Sequence, residues 1–143
     1  MHGMDCVFCA IVAGDLPASR VYDDERVLGF MDLRPATTGH LLVIPKRHAS
    51  DLAGLDPEDG AHMFRVAQRL AAALRASVIE PEGINLFLAD GEVAGQEVFH
   101  AHLHVLPRRE GDGFGVRAAF SSPSREELDR RAGEIKAALE AVN

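Results

Sequence analysis

Three histidines, His100, His102 and His104, alternate with Ala101, Leu103 and Val105. On a β-strand successive side chains point to opposite faces. The spacing therefore predicts one face with three imidazoles and one face packed on a core. Imidazoles make a poor core, because each ring nitrogen needs a hydrogen-bond partner. They make a good reactive surface, because histidine ligates metals, attacks electrophiles and moves protons near neutral pH. A purely structural cluster is the alternative; three rings at strand spacing behind Gly95-Gln96 favour function. His102 then reads as a nucleophile toward a phosphorus or acyl centre. His104, about 7 Å further along the same face, suits a group that binds the other oxygens of a phosphate. Gly95, Gln96 and Glu97 stand at the strand's entry, where backbone N–H groups can cradle an anion. His40 could orient the cluster through a ring nitrogen, or simply bond a backbone carbonyl.

Cys6-Val7-Phe8-Cys9 is a second chemical motif. A redox pair of the thioredoxin kind needs a preceding strand and a βαβ context, which a motif so near the N-terminus lacks. Read as half of a zinc site, the pair needs two more ligands. His48, just after an apolar strand, and His100 are the best candidates to complete a Cys2His2 set. Such an ion would tie the N-terminal segment to the sheet beside the reactive strand. Two free thiols and two surface histidines are the alternative.

The elements that must position these groups follow from the pattern. Arg20–Asp23 and Val27–Asp32 read as short strands around an Asp24-Glu25-Arg26 turn. Gly39–Pro45 is a nearly continuous apolar strand, hence central, with His40 at its start. Asp56 is an N-cap and Pro57 a first-turn residue, and Met63, Val66, Leu70 and Leu74 recur at helical spacing. This predicts a helix over 57–78, with Arg65, Arg69 and Arg75 on a solvated face. Residues 84–89 read as a strand, 90–95 as a glycine-bearing loop and 108–115 as a mobile loop. Ser124 caps a polar C-terminal helix whose Leu128, Ile135 and Leu139 form one narrow docking stripe. Strands joined by hairpins and one long helix favour an antiparallel α+β sheet.

The 143 residues fit one domain, 1–143, with 116–143 as a C-terminal extension. Apolar content of 47% supports a normal core, and a net charge of −7 argues against nucleic acid or an anionic membrane as partner. No apolar run reaches the roughly 20 residues of a membrane span. The first residues lack the basic start and apolar stretch of a signal peptide, so a cytoplasmic location and no structural disulfide are expected. Met1-His2-Gly3 reads as added sequence ahead of a native start at Met4.

The run His100-Ala101-His102-Leu103-His104-Val105-Leu106 resembles the signature of the histidine triad (HIT) superfamily of nucleotide hydrolases and transferases. Cys6 to Cys9, Phe30-Met31-Asp32, Gly39 to His48, and Gly95-Gln96 are similar to the family pattern in the same order, and match its zinc-carrying bacterial branch. The resemblance implies a five-stranded antiparallel sheet with one long helix, joined to a second sheet across a homodimer. It implies a purine nucleotide, usually adenosine-based, as substrate. His102 would attack the α-phosphorus and become a nucleotidyl-histidine that water releases; His104 would contact the phosphate; His40 would support the cluster. Asp32 matches the position that holds the ribose hydroxyls, and Gln96 one lining the phosphate and leaving-group side. Cys6, Cys9, His48 and His100 match the zinc ligands. Glu97 stands where many relatives have a small hydroxyl residue, and Ala89 where they often have Asn. A phosphoramidase and a dinucleoside polyphosphate hydrolase both fit. A nucleotidyltransferase or phosphorylase, or a zinc-stabilised nucleotide-binding protein with little turnover, are the alternatives.

Overall fold

The computed structural model describes residues 5–142; the expected start at Met4 and the three residues before it lie outside the described residues. Helix α1 spans Val7–Ala13, and strands β1 (Arg20–Asp23), β2 (Val27–Met31) and β3 (Leu41–Pro45) follow. Helix α2 (Pro57–Ala76) leads to β4 (Gly83–Phe87), a short 3-10 turn at Glu92–Ala94, β5 (Leu103–Arg108) and α3 (Arg125–Ala141). The five strands form one antiparallel sheet in the order β1-β2-β3-β5-β4. The expected sheet class is thus present, with β3 in its middle.

The central position of β3 explains its unbroken apolar sequence. Leu41 and Val43 join Val27, Val105 and the α2 residues Met63, Val66, Leu70 and Leu74 on one face. Leu42 and Ile44 join Leu28, Phe30 and the α1 residues Phe8 and Ile11 on the other. Both faces are covered, so alternation of polar and apolar residues disappears. Fully buried Leu28, Ile44 and Met63 contribute about 2 kcal/mol each.

Local chemistry sets the boundaries. Asp56 Oδ1 accepts the Glu58 N–H at 2.8 Å, which caps α2. Asp24 Oδ1 accepts the N–H groups of Arg26 and Val27 at 2.8 and 2.9 Å, closing the β1–β2 turn. Helix α2 ends at Ala76 rather than 78, because the Ser77 hydroxyl donates to the Leu74 carbonyl and diverts the chain. Of its three arginines, Arg69 stacks over the Tyr22 ring.

One element was not foreseen, and two expectations need correction. The N-terminal segment is a helix, since Cys6 caps it by accepting the Cys9 N–H and Gly14 ends it at φ 87°. The 108–115 loop is braced: Arg108 holds both Asp112 oxygens and donates to the Phe114 carbonyl. The α3 stripe does not dock on its own chain, as no residue of α3 is buried.

Gly39 adopts φ 90°, and a Cβ there would stand 2.8 Å from Ile79 Cδ1. Gly39→Ala should therefore destabilise the fold by about 2 kcal/mol, read as a lower urea midpoint with an unchanged m-value.

Candidate active site and metal centre

Strand pairing gathers the histidines. Leu42 and Ile44 of β3 share the α1-covered face, His40 stands just before the strand, and Leu42 pairs with His104, which pairs in turn with Phe87. Asp32 follows β2 and its N–H bonds the His40 carbonyl. Asp32, His40 and His104 therefore converge, with ligating atoms within 4.8 Å of one another.

The predicted strand is shorter than the triad. It begins at Leu103, so His100 and His102 lie in an extended lead-in. The reason is that the Ala101 N–H is drawn to the Ala49 carbonyl at 2.7 Å, outside the β3 ladder. All three rings nonetheless gather: His102 and His104 centroids are 4.9 Å apart, and Phe8 meets His100 and His102 edge-on.

Backbone partners fix the protons. His102 Nδ1 donates to the His100 carbonyl at 2.8 Å, so its Nε2 carries a lone pair. That Nε2 makes no hydrogen bond among the described residues. His40 Nδ1 accepts the Ala36 N–H at 3.1 Å, which leaves the proton on Nε2. His40 Nε2 in turn donates to His104 Nδ1 at 2.9 Å, which leaves the His104 proton on its own Nε2. The neutral cluster thus presents one base, His102, beside one donor, His104. Asp32 Oδ2 stands 3.6 Å from His40 Nε2, and its Oδ1 accepts the Arg34 N–H.

Sequence reasoning missed two contributors. Phe87 stacks on His104 with centroids 4.2 Å apart and planes 13° from parallel, and Phe114 stacks in turn on Phe87. Phe8 sits between the two cysteines in sequence and packs behind His102. The apolar character of the C-x-x-C spacer was its visible signal.

The predicted phosphate-side residues divide. Gln96 is buried, and its amide is consumed within the protein: Oε1 accepts the Gly91 N–H, and Nε2 donates to the Ser50 and Val98 carbonyls. It shapes the loop that carries Gly95. Gly95 is exposed at φ 101°. Glu97 is exposed and lines a surface cleft with His48, Ser50 and Phe99, on the cysteine side. Ala89 is buried.

Cys6 Sγ, Cys9 Sγ, His48 Nδ1 and His100 Nδ1 form the other convergence. The two imidazole nitrogens are 3.2 Å apart, and three of the four sulfur–nitrogen separations are 3.3 to 3.6 Å. Tetrahedral zinc with Zn–N about 2.1 Å and Zn–S about 2.3 Å requires edges of about 3.4–3.8 Å, so the donor set fits with small adjustment. His100 is fully buried and donates from Nε2 to the Pro45 carbonyl at 2.8 Å, which aims its Nδ1 lone pair at the thiols. Burial, together with the neighbouring Cys6, pushes the Cys9 thiol up to about 11. A bound cation would reverse that penalty.

Burial depresses the histidines as well. His104 is lowered to about 4 by burial and by the adjacent His102 and His40. His40 and His100 are lowered by burial, with Asp32 opposing the shift at His40. Between about pH 6.5 and 4 the unfolded chain binds protons that the folded chain refuses. Stability is therefore full above about 6.5 and falls as pH drops through that window. Urea midpoints of metal-free protein should decline from pH 7 to pH 4, and His104→Gln should flatten part of that slope.

The HIT domain family matches residues 13–111. An uncharacterized HIT-like protein from Mycobacterium tuberculosis is 45% identical over 97% of this chain and 98% of its own. The adenosine 5′-monophosphoramidase of Schizosaccharomyces pombe is 34% identical over 95% of this chain and 99% of its own. A crystal structure of a Zn-bound histidine triad family protein from Mycobacterium smegmatis superposes with a TM-score of 0.76 at 48% identity, covering 99% and 100% of the two chains. With sheet order, histidine cluster and sequence in agreement, the chain belongs to the HIT family.

Proposed function

We propose that the protein is a hydrolase of purine nucleotide conjugates, usually adenosine-based, acting at the α-phosphate through a nucleotidyl-histidine on His102. One observation carries the reading: the His102 Nδ1 proton is committed to the His100 carbonyl, which leaves Nε2 as a free base beside the N–H of His104. The kinship with a fission-yeast protein named as an adenosine 5′-monophosphoramidase supports the substrate class.

In the first step the His102 Nε2 lone pair forms a bond to the α-phosphorus in line with the leaving group. The bond from phosphorus to the leaving amine nitrogen or phosphate oxygen breaks, the leaving group departs with the electron pair, and an amine takes up a proton from solvent as it goes. The His104 Nε2–H donates to a non-bridging oxygen, where charge builds up. His40 holds His104 in the donor tautomer, and Asp32 offers two acceptors to ribose hydroxyls. In the second step water attacks phosphorus and the P–N bond breaks. Nucleoside monophosphate leaves, a water proton passes to solvent, and the His102 lone pair is restored. Gln96 holds the loop that precedes the histidines, while the Gly95 N–H is spent on the Glu92 carbonyl and Glu97 lies on the cysteine side, so neither is assigned a phosphate contact.

Cys6, Cys9, His48 and His100 would hold a structural zinc ion, which supplies a cross-link rather than a reacting group. A homodimer with joined sheets fits the same reading, since β4 has a strand neighbour on one side.

His102→Ala should lower turnover of an adenosine 5′-phosphoramidate by about 10³-fold or more while retaining nucleotide binding. Intact mass after rapid quench should show one added nucleotidyl group on the wild type and none on the variant. An unchanged rate in the variant would remove the nucleophile assignment. Running a dinucleoside polyphosphate in parallel identifies the accepted leaving group.

Elemental analysis should find about one zinc per chain, and Cys9→Ser should reduce that content. The same variant should lower the melting temperature, because the ligand set ties α1 to the sheet.

A further inference from the structure

Beyond β3 the chain leaves the sheet, and residues 46–50 belong to no strand. Their peptide groups have to find partners elsewhere. Three consecutive residues do so in three directions. His48 Nδ1 joins the metal donor set, and its Nε2 stands 3.4 Å from Ser50 Oγ. The Ala49 carbonyl accepts the Ala101 N–H at 2.7 Å. The Ser50 carbonyl accepts the Gln96 side-chain amide at 2.6 Å.

The Ala49 contact reaches the nucleophile through one rigid peptide. A trans peptide is planar, so its N–H and C=O point in opposite directions. In the peptide between His100 and Ala101, the N–H is held by Ala49 and the C=O takes the His102 Nδ1 proton at 2.8 Å. Segment 48–50 thus fixes the plane that selects the His102 tautomer. Gln96 holds that segment in turn. The space around its amide offers the N–H of Gly91 and the carbonyls of Ser50 and Val98. A primary amide, with one acceptor oxygen and a pair of N–H donors, matches that set. Both amide protons are spent, at 2.6 and 3.1 Å, on a side chain whose residue is 2% exposed. Neither remains for a phosphate.

We propose that Gln96 is a positioning residue, not a phosphate ligand: it splints segment 48–50, so that the metal ligand His48 and the nucleophile His102 hold one geometry. The inference rests on the reading of His102 as nucleophile and of the Cys2His2 set as a zinc site. Ring spectra and metal release report on the splint without turnover, so its failure is distinguishable from failure of the hydrolase reading.

Two variants test it. Gln96→Ala empties the amide site. Gln96→Glu keeps the shape and the acceptor for Gly91 but turns an oxygen toward two carbonyls, and it decides the matter if the alanine variant does not fold. In zinc-loaded protein, nitrogen-15 NMR of the His102 ring should show the Nδ1–H tautomer in the wild type and a mixture with Nε2–H in either variant. Zinc transfer to a chromophoric chelator should be about 10-fold or more faster in the variants. With an adenosine 5′-phosphoramidate, kcat should fall about 10–100-fold while KM stays within about two-fold. In the wild type, the Gln96 amide protons should exchange slowly with solvent both before and after adenosine 5′-monophosphate is added. A raised KM with ring spectrum and zinc release unchanged would overturn the proposal, because Gln96 would then be a phosphate ligand. So would amide protons that leave the Ser50 and Val98 carbonyls and exchange fast once the nucleotide binds.

Discussion

The arrangement depends on one buried ring. His100 is fully enclosed, and each of its polar groups has a separate task. Its Nε2 proton goes to the Pro45 carbonyl, which locks the ring against the end of the central strand. Its Nδ1 lone pair then has to face the two thiols. Its own carbonyl takes the Nδ1 proton of His102 and so makes the next histidine a base. A rotated His100 ring would disturb the sulfur cluster and, through the lead-in backbone, the nucleophile as well. Structural and reactive halves of the site are joined at a single residue.

The same economy appears in the C-x-x-C helix. Cys6 is both its N-cap and a member of the donor set. Phe8, inside the motif, turns toward the sheet and packs against Phe30, His100 and His102. On the far side of the site, Phe87 lies flat on His104. The two reactive rings are therefore held by edge contact on one side and by stacking on the other. The His102 proton is set by a backbone carbonyl, and that of His104 by the His40 ring, itself held by the Ala36 N–H.

Much of this was legible in the chain. The apolar run from Leu41 to Pro45 and the Asp56-Pro57 helix start each led to the correct element, and the period-two histidines led to the right stretch, although only His104 of the three lies on the strand. The convergence of Cys6, Cys9, His48 and His100 was also readable, because few residue types suit soft metal ligation. What escaped was set by tertiary competition. The strand starts at Leu103 because Ala49, distant in sequence, takes the Ala101 N–H. Helix α1 was hidden because a seven-residue helix has almost no periodicity to detect. Arg108 reads as a loop charge until Asp112 and Asn85 are near it. The stripe of α3 was visible, but sequence periodicity reports an apolar face without saying which surface receives it.

Helix α1 buries only Phe8 and Ile11, and seven residues form less than two turns beyond the cap. Such a segment opens at a free energy far below that of the sheet behind it. Opening would withdraw Phe8 from the rear of His102 and separate the two cysteines from the two histidines, while β3 stayed fully protected. Amide exchange in this molecule should thus divide into two classes, a slow central sheet and a fast amino-terminal latch. Occupancy of the Cys2His2 set would govern the second class alone.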